Sequence, residues 1–243
     1  MWWSSLFTDM RPSDFFNFSF LPKYGVAFVC GVEYTLLLAV VSVLLAVIPA
    51  LLLALMRLSK IKPVKWLSGA YIAVFRSTPM LVQLSIIYFG LFYAISLPRV
   101  SLFGFVDISR FIPGVVALAL NSSAYVAEIF RAGILAVDKG QTEAARSLGL
   151  SSWQSMRLVV LPQAIKHVLP ALANEVVTMV KESSICSMLG MAELMFVSKT
   201  VATGTYITLA PYTIAALIYF CINYPASKAI EAIERRMRRG DKQ

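Results

Sequence analysis

Five apolar segments, each about long enough to cross a bilayer as a helix, are the feature that most limits how this chain can fold. The hydrocarbon core of a membrane is about 30 Å thick, which about 20 helical residues span. Hydrophobic residues make up 58% of the 243-residue chain and charged residues 14%, which is too apolar for a soluble domain of this size. The sequence therefore predicts an all-α integral membrane protein with about five transmembrane helices. The predicted spans are residues 25–56, 79–97, 113 to about 137, 168 to about 197, and 208 to about 229.

The segments outside the spans are short. Residues 1–24 mix eight aromatic side chains with polar ones, without a basic start or a cleavage site, and predict an interfacial segment and not a signal peptide. Residues 64–75 have the pattern of an amphipathic helix that lies along the membrane surface. Residues 25–230 are interpreted as one domain, because neither a repeat nor a linker divides them. Residues 231–243 predict a basic cytosolic tail, to which we assign no special role.

A polar stretch, residues 139–162, separates the third and fourth predicted spans. Gly140 is expected to end the preceding helix, and Thr142 is expected to cap a short new one. Gly149 is expected to end that helix with a left-handed backbone conformation. A small helix of this kind is suited to a groove of another protein, because it packs closely and loses little side-chain entropy; a plain cytosolic loop is the alternative.

A second short helix is predicted directly after the first. Ser151 and Gln154 have the spacing of a capping box, in which each residue bonds to the backbone of the other. The pair Leu161-Pro162 is expected to interrupt this helix, because proline lacks a backbone N–H. The polar stretch is therefore predicted to form two short helices at an angle.

The residues of this stretch resemble a known motif. Glu143-Ala144-Ala145, then Gly149, then Val159-x-Leu161-Pro162 is similar to the EAA loop in the membrane subunits of ATP-binding-cassette (ABC) importers, although that family often has Ile where Val159 stands. The resemblance implies that the loop is a coupling helix that docks on a nucleotide-binding subunit. The residues expected to couple to that subunit are Glu143, Ala144, Ala145, Leu148, Gly149, Leu161 and Pro162.

Two further stretches resemble one subfamily of these permeases. FRSTPMLVQ at residues 75–83 is similar to the FRGTPLLVQ signature of polar amino acid permeases, with Ser77 and Met80 replacing Gly and Leu. AYVAEIFR at residues 124–131 and KESS at residues 181–184 look like the third span and the KDTS-type gate segment of that subfamily. The resemblance implies a type I ABC importer permease, a multi-pass protein of the bacterial inner (cytoplasmic) membrane. It also implies a gate segment that contains Arg76, Thr78, Pro79 and Gln83.

The same resemblance implies the partners. A second permease copy or a paralogue completes the pore, a dimer of ATPase subunits binds ATP and Mg²⁺, and an extracytoplasmic solute-binding protein delivers a polar amino acid. The chain has no P-loop sequence GxxxxGK[ST], so ATP is expected to be hydrolysed by the partner, and we expect no cofactor on this chain. The net charge of +9 does not indicate a nucleic acid partner, because the basic residues flank apolar runs next to the lipid bilayer. Three scattered cysteines and one histidine predict no metal site.

The distribution of basic residues predicts the orientation. If the EAA loop is cytosolic, the inner segments contain fifteen Lys and Arg residues and the outer segments contain five. This asymmetry satisfies the positive-inside rule. The N-terminus is therefore expected outside and the C-terminus in the cytosol.

Polar side chains inside apolar spans need an explanation, because each is costly in hydrocarbon. At 100° per residue, the polar residues of the fourth span fall within an arc of about 120°. They either line a path for a zwitterionic solute or hold helices together, and both interpretations stay open here. The candidate path residues are Asn174, Glu175, Thr178, Lys181, Glu182 and Ser183, with a weaker second set of Asn121, Tyr125 and Glu128 on the third span.

Two other classes of function, a secondary transporter and a membrane-embedded enzyme, fit the sequence less well than an importer subunit. A secondary transporter would be expected to show internal duplication and more spans than five. A membrane-embedded enzyme would need a reactive constellation, such as paired catalytic carboxylates or a HExxH helix, and the sequence contains none. The sequence therefore favours a transport subunit that is not itself an enzyme, with a secondary transporter as the alternative.

Overall fold

The computed structural model describes residues 16–95, 97–98, 100–102 and 106–239, and this part of the chain is mostly helical. In chain order the helices are α1 (Leu21–Leu58), α2 (Lys62–Ser77), α3 (Met80–Ser85), α4 (Ile108–Leu135), α5 (Lys139–Ser147), α6 (Ser152–Ser155), α7 (Leu161–Glu182), α8 (Leu194–Thr205) and α9 (Leu209–Arg239). Two π-helical segments, Ile86–Phe92 and Met156–Val160, extend α3 and α6, and a 3₁₀ segment, Ser183–Leu189, extends α7. A short antiparallel pair, β1 (Ser101–Leu102) and β2 (Val106–Asp107), precedes α4, with Ser101 opposite Asp107.

The number of membrane spans agrees with the sequence. Three helices, α1, α4 and α9, are each long and apolar enough to cross a membrane. Two bent pairs raise the number to five if each pair is one span. The first pair is α2 with α3 and its π extension, bent by 106°, and the second joins the α6–α7 segment to α8, bent by 47°. The prediction of an all-α protein with about five spans is confirmed.

The longest helix, α1, packs against α4 through a row of small side chains. Its buried positions recur every three or four residues, as expected when one face of a helix contacts a neighbour. Small side chains let two helix backbones approach closely. The opposite face leaves Leu44, Ile48 and Leu52 between 57% and 70% exposed, which suits contact with lipid. The small or polar buried residues of α1 are Gly31, Thr35, Ala39, Ser42, Ala46, Ala50 and Ala54.

Three helix ends differ from the predicted spans. The first helix begins at Leu21, inside the segment expected to be interfacial. The third span begins at Ile108 and not at residue 113, because the Asp107 side chain accepts a hydrogen bond from the backbone N–H of Ser109 at 3.0 Å and caps the helix. The last helix continues beyond the end of the predicted span to Arg239, so the predicted basic tail is helical as far as this residue.

The second predicted span is shorter than expected and sharply bent. The helix begins at Met80, directly after Pro79, and its π extension ends at Phe92 and not near residue 97. These 13 residues reach only about 20 Å, well short of the hydrocarbon core. The segment is long and apolar enough to be a span only together with α2, across the 106° bend.

Helix α2 covers the segment that was predicted to be an amphipathic connector. The Ser68 hydroxyl donates to the Leu53 carbonyl of α1 at 2.8 Å, and the Tyr71 hydroxyl donates to the Leu120 carbonyl of α4 at 2.9 Å. Trp66, by contrast, is 73% exposed. A helix with one face anchored and one face exposed is confirmed here, whereas its position along the membrane surface stays a prediction.

The fourth predicted span, residues 168–197, is wrong as a single helix. The chain leaves the α-helical conformation after α7, passes through the 3₁₀ segment and turns at Gly190, which has a φ of 73°. The Arg110 guanidinium donates to the Gly190 carbonyl at 2.6 Å, and the Thr35 hydroxyl accepts from the backbone N–H of Leu194 at 3.1 Å. Side chains from α4 and α1 therefore bind backbone groups that the break leaves without helical partners.

A buried carboxyl group begins the helix after this break. Glu193 has no exposed surface, and its oxygens accept hydrogen bonds from the backbone N–H groups of Met195 at 2.8 Å and Phe196 at 2.7 Å. The Tyr219 hydroxyl of α9 donates to the same side chain at 3.1 Å. Sequence analysis missed Glu193, because one acidic residue in an apolar run does not reveal the helix end that it caps.

Replacement of Glu193 tests this role. Glu193→Ala removes a helix cap and leaves the half-buried Tyr219 hydroxyl without its acceptor, so we expect the free energy of unfolding to fall by about 2–4 kcal/mol. Denaturation of the detergent-solubilised chain measures the change. The matched control is Glu231→Ala, which removes an exposed carboxylate of α9 that contacts Lys228, and it is expected to change stability by less than about 0.5 kcal/mol. Equal effects of the two variants would contradict the assignment.

Candidate functional site

The polar stretch after α4 forms a short helix whose start differs from the prediction. Helix α5 begins at Lys139, because the Asp138 side chain accepts a hydrogen bond from the backbone N–H of Gly140 at 2.6 Å. Asp138 is therefore the helix cap, and the predictions that Thr142 caps and that Gly140 ends the previous helix are wrong. Glu143 is exposed on this helix.

The turn after α5 follows the sequence prediction closely. Gly149 has a φ of 87°, the left-handed conformation expected at the end of the helix. Its backbone N–H donates to the Arg146 carbonyl at 3.0 Å. The capping box is also confirmed, because the Ser151 hydroxyl accepts from the Gln154 N–H at 3.2 Å and the Gln154 side chain accepts from the Ser151 N–H at 2.8 Å.

The second short helix is not a separate element, which corrects another prediction. Helix α6 passes through the π segment Met156–Val160 directly into α7, which begins at Leu161. Pro162 lies in the first turn of α7, where proline is tolerated after the widened π turn. The pair Leu161-Pro162 therefore changes the helical geometry without interrupting the chain of helices.

The loop surface is apolar in part. Ala145 is 3% exposed and packs inward, whereas Ala144 lies on the exposed side. Leu148 is 84% exposed and Trp153 is 68% exposed. Large exposed apolar side chains on a polar loop are typical of a contact surface for another protein. Sequence analysis did not select Trp153, which lies between the motif positions Gly149 and Val159.

A cavity of about 320 Å³ brings together three segments that lie far apart in the sequence. One wall comes from the residues that begin α3, a second from α4 and a third from α7. Three sets of polar residues predicted separately therefore face one space. The residues that line this inner cavity are Thr78, Pro79, Met80, Asn121, Tyr125, Glu175, Thr178, Met179 and Glu182.

A larger cavity of about 570 Å³ adjoins the inner cavity and extends toward the α4–α5 end of the helices. The two cavities share Tyr125 and Glu175 in their walls. Arg76, Glu128 and Asn174 also line the larger cavity. Its far end is lined by Ala136, Lys166 and His167 next to the polar loop and by Glu234 and Met237 of α9.

Glu175 lies where the two cavities meet. Glu175 is only 8% exposed, and the Ser122 hydroxyl of α4 donates to its Oε1 at 2.8 Å. Burial of a carboxyl group is costly unless a partner holds it. Ser122, which sequence analysis missed, thus positions Glu175. Among the described residues, Glu175 is the acidic residue that lines both cavities, and it forms no salt bridge.

A hydrogen-bond network holds the bend at the start of α3. The Gln83 side-chain amide donates to the Phe75 carbonyl at 2.8 Å and to the Thr78 hydroxyl at 2.8 Å. The Asn121 side-chain amide of α4 donates in turn to the Gln83 side-chain oxygen at 2.8 Å. Asn121 therefore lines the inner cavity and also supports the bend.

Glu128 and Arg76 contribute charge to the wall of the larger cavity. Glu128 accepts from Arg131, whose Nε and Nη2 atoms each lie 2.8 Å from Oε2. Arg57 is farther away, with 3.8 Å between its Nε and the Glu128 Oε1. The Arg76 guanidinium lies over the Tyr125 ring, 5.3 Å from its centre. The carboxylate of Glu128 is thus paired, and Arg76 presents its positive charge to the cavity.

Two predicted path residues lie outside these cavities. Lys181 faces α9, in a separate cavity of about 310 Å³ that Tyr219, Asn223 and Tyr224 also line. The Ser183 hydroxyl donates to the Val180 carbonyl at 2.9 Å and is buried. The structure therefore brings Glu175, Thr178 and Glu182 together on one side of α7 and places Lys181 on another.

Comparison with known families and structures gives the same picture. A family described as "Binding-protein-dependent transport system inner membrane component" matches residues 42–239. The arginine transport system permease protein ArtQ of Bacillus subtilis is 41% identical over 211 residues, which cover 87% of this chain and 92% of that protein. A putative glutamine transport system permease protein GlnP of Rickettsia typhi is 40% identical over 207 residues, covering 85% of this chain and 91% of that protein.

Solved structures share the fold. A crystal structure of an amino acid ABC transporter with histidines is 46% identical and has a TM-score of 0.81, covering 90% of this chain and 98% of that chain. An inward-facing structure of the MetNI methionine ABC transporter, 19% identical with a TM-score of 0.68, covers 87% of this chain and 98% of that chain and shows the fold alone. The predicted ABC importer permease architecture is confirmed. The chain belongs to the family of binding-protein-dependent transport system inner membrane components, and it is a multi-pass transport subunit of the bacterial inner membrane and not an enzyme.

Proposed function

We propose that this chain is the permease subunit through which an ABC importer moves a polar amino acid into the cell. A dimer of ATPase subunits, which binds ATP and Mg²⁺, drives the transport, and an extracytoplasmic solute-binding protein delivers the solute. A second permease copy or a paralogue completes the pore. The observation that carries the proposal is the convergence of Thr78, Asn121 and Glu175 on one polar cavity that adjoins a second cavity leading toward the coupling loop. The names of the relatives, which refer to arginine and glutamine transport, support the class of solute.

The charges along the cavities suit a zwitterion. An amino acid carries an ammonium group and a carboxylate, and either charge is costly to bury without a counter-charge. In our proposal the ammonium group contacts Glu175, and the solute carboxylate contacts Arg76, which lines the same cavity. Thr178 and Asn121 replace water molecules around the solute. Arg76 supplies the positive charge in this proposal, since Lys181, the basic residue among the predicted path residues, faces another cavity.

The loop between α4 and α7 has the properties needed to couple the cavity to an ATPase. Leu148 and Trp153 offer exposed apolar side chains for docking. The helical segment that starts with α6 then runs without a gap into α7, which carries Glu175. Glu175 lies 14 residues after Leu161, so about 21 Å of helix connects the loop to the cavity. In this proposal a displacement of the docked loop moves the helix that lines the solute path.

Substitution of Glu175 isolates the electrostatic part of the proposal. Glu175→Gln keeps the size of the side chain and an oxygen that can accept from Ser122, but it removes the charge. We expect solute uptake to fall by about tenfold or more, since a charge-assisted contact contributes about 1.5–3 kcal/mol, or the preferred solute to change. Uptake of labelled amino acids by vesicles that contain the complete importer measures the effect.

The control is Glu231→Gln, which changes an exposed carboxylate of α9 that lines neither cavity and is expected to leave uptake unchanged. Membrane expression and basal ATP hydrolysis are expected to stay near normal in both variants. Unchanged uptake kinetics and solute preference in Glu175→Gln would favour a helix-packing role for the polar side of α7.

Gly149 tests the docking of the loop. A side chain at this position would meet no atom within 4 Å, so Gly149→Val acts only through the backbone, whose φ of 87° costs a residue with a side chain about 1–2 kcal/mol. We expect the variant to lose most solute-stimulated ATP hydrolysis in reconstituted vesicles. Gly149→Asn is expected to retain more activity, because Asn tolerates the left-handed conformation.

The matched control is Gly25→Val, which also enters open space but has no positive φ. Normal solute-stimulated ATP hydrolysis in Gly149→Val, or an equal loss in Gly25→Val, would argue against a coupling role for the turn.

The orientation proposed from the basic residues can be tested by labelling. Lys199→Cys and Gln141→Cys are made in a background that lacks Cys30, Cys186 and Cys221, and both positions are exposed. In intact cells an impermeant thiol reagent is expected to label the cysteine at position 199 and not the one at position 141, which reacts only after permeabilisation. Labelling at position 141 in intact cells would reverse the assignment.

A further inference from the structure

The corner between α1 and α2 contains a third cavity, of about 480 Å³. It shares Arg76, Tyr125 and Glu128 with the wall of the larger cavity, but Arg57, Gly69 and Ser77 belong to it alone among the three cavities around Tyr125. The solute path proposed above uses Arg76 but not Arg57, Gly69 or Ser77. Its lining residues carry two guanidinium groups, two hydroxyls and one carboxylate.

Positive charge in this corner exceeds the negative charge available to pair with it. The Arg57 Nε is buried and has no hydrogen-bond partner, with the Glu128 Oε1 at 3.8 Å as the nearby acceptor. The other oxygen of Glu128 is already bound to Arg131 at 2.8 Å. In the described part of the chain, Arg76 contacts the Tyr125 ring and forms no salt bridge. Arg57 and Arg131 therefore approach one carboxylate, and Arg57 and Arg76 both line the cavity.

The backbone at this corner leaves room for the Arg57 guanidinium. A side-chain carbon added to Gly69 would lie 3.0 Å from the Arg57 Nη1, closer than an ordinary contact. Gly69 on α2 thus leaves space for the end of the Arg57 side chain beside the helix at the cavity wall. A planar guanidinium held in this way presents several N–H donors in a fixed direction, which suits the oxygens of a phosphate.

The cavity lies next to surfaces that suit the headgroup layer of a membrane. Lys62 and Lys65 are exposed at the start of α2. Trp66 is 73% exposed and Val74 is 58% exposed on the same helix. Tryptophan is enriched at the level of lipid headgroups, and clustered basic residues attract anionic lipids there. A soluble anion would have no use for the exposed apolar side chains.

We propose that this cavity binds the phosphate of an anionic phospholipid, with Arg57 as the main donor and Ser77 as a second, next to the positive charge that Arg76 shares with the larger cavity, and with the acyl chains along the exposed apolar side of α2. The lipid phosphate supplies the negative charge that Glu128 alone does not provide. Basic pockets between membrane helices bind lipid headgroups by the same chemistry. The site shares Arg76, Tyr125 and Glu128 with the larger cavity, but lipid retention can be measured without transport.

Native mass spectrometry of the full-length chain in detergent tests the proposal. The protein is mixed with phosphatidylglycerol, which is anionic, or with phosphatidylcholine, which has no net charge. We expect preferential retention of phosphatidylglycerol and at least about a fivefold weaker retention in Arg57→Gln, since one basic residue near the membrane surface contributes about that factor. Arg57→Lys keeps the charge but loses the planar guanidinium. Its retention of phosphatidylglycerol is therefore expected to lie between that of the unchanged chain and that of Arg57→Gln.

Arg235→Gln is the matched control, because it removes an exposed arginine from α9 by the same substitution. A loss of lipid as large in Arg235→Gln as in Arg57→Gln, or no loss in either Arg57 variant, would overturn the proposal. Release of phosphatidylglycerol by millimolar inorganic phosphate would assign the cavity to a soluble anion instead. If Arg57→Gln dissociated a permease dimer and left lipid retention unchanged, the cavity would be assigned to contact with a second copy of the chain.

Discussion

The bend between α2 and α3 depends on one buried amide, and the shape of the whole cavity region depends on that bend. Inside a bilayer a backbone carbonyl or N–H that leaves a helix has no water to bind, so another protein group must replace the lost partner. At the 106° bend the Gln83 side chain binds two backbone carbonyls, those of Phe75 at 2.8 Å and Thr78 at 3.0 Å, and Asn121 holds Gln83. At the 47° break Glu193 does the same for the N–H groups that begin α8. Broken helices expose polar surface to the cavities, and side chains from neighbouring helices make the breaks stable.

Hydropathy and local signals predicted the parts of the fold that depend on nearby residues. The lengths of the apolar segments predicted the helices, the left-handed Gly149 and the capping box at Ser151 followed from short motifs, and the resemblance to ABC permeases predicted the family. The break after α7 was missed because its partners are distant in sequence. Arg110 and Gly190 lie 80 positions apart, and Thr35 and Leu194 lie 159 apart, so no window of sequence contains both members of either pair.

The candidate path was predicted in part, for a similar reason. A helical wheel correctly placed Glu175 and Thr178 on one side of α7, because their spacing alone fixes their relative direction. The helical wheel does not show which neighbouring helix each residue of the arc faces. Lys181 therefore shares the arc but faces α9, and Ser122, the partner of Glu175, was invisible because serine is common in such helices.

Tyr125 lines three cavities, since its half-exposed ring borders the inner cavity, the larger cavity and the cavity beside Arg57. A molecule that displaces this ring from one side changes the volume and the polarity available on the other two. Binding at such sites is thermodynamically linked: whatever factor one occupant applies to the affinity of another, the second applies to the first. The composition of the surrounding membrane would then set the affinity for the transported solute through a single aromatic ring.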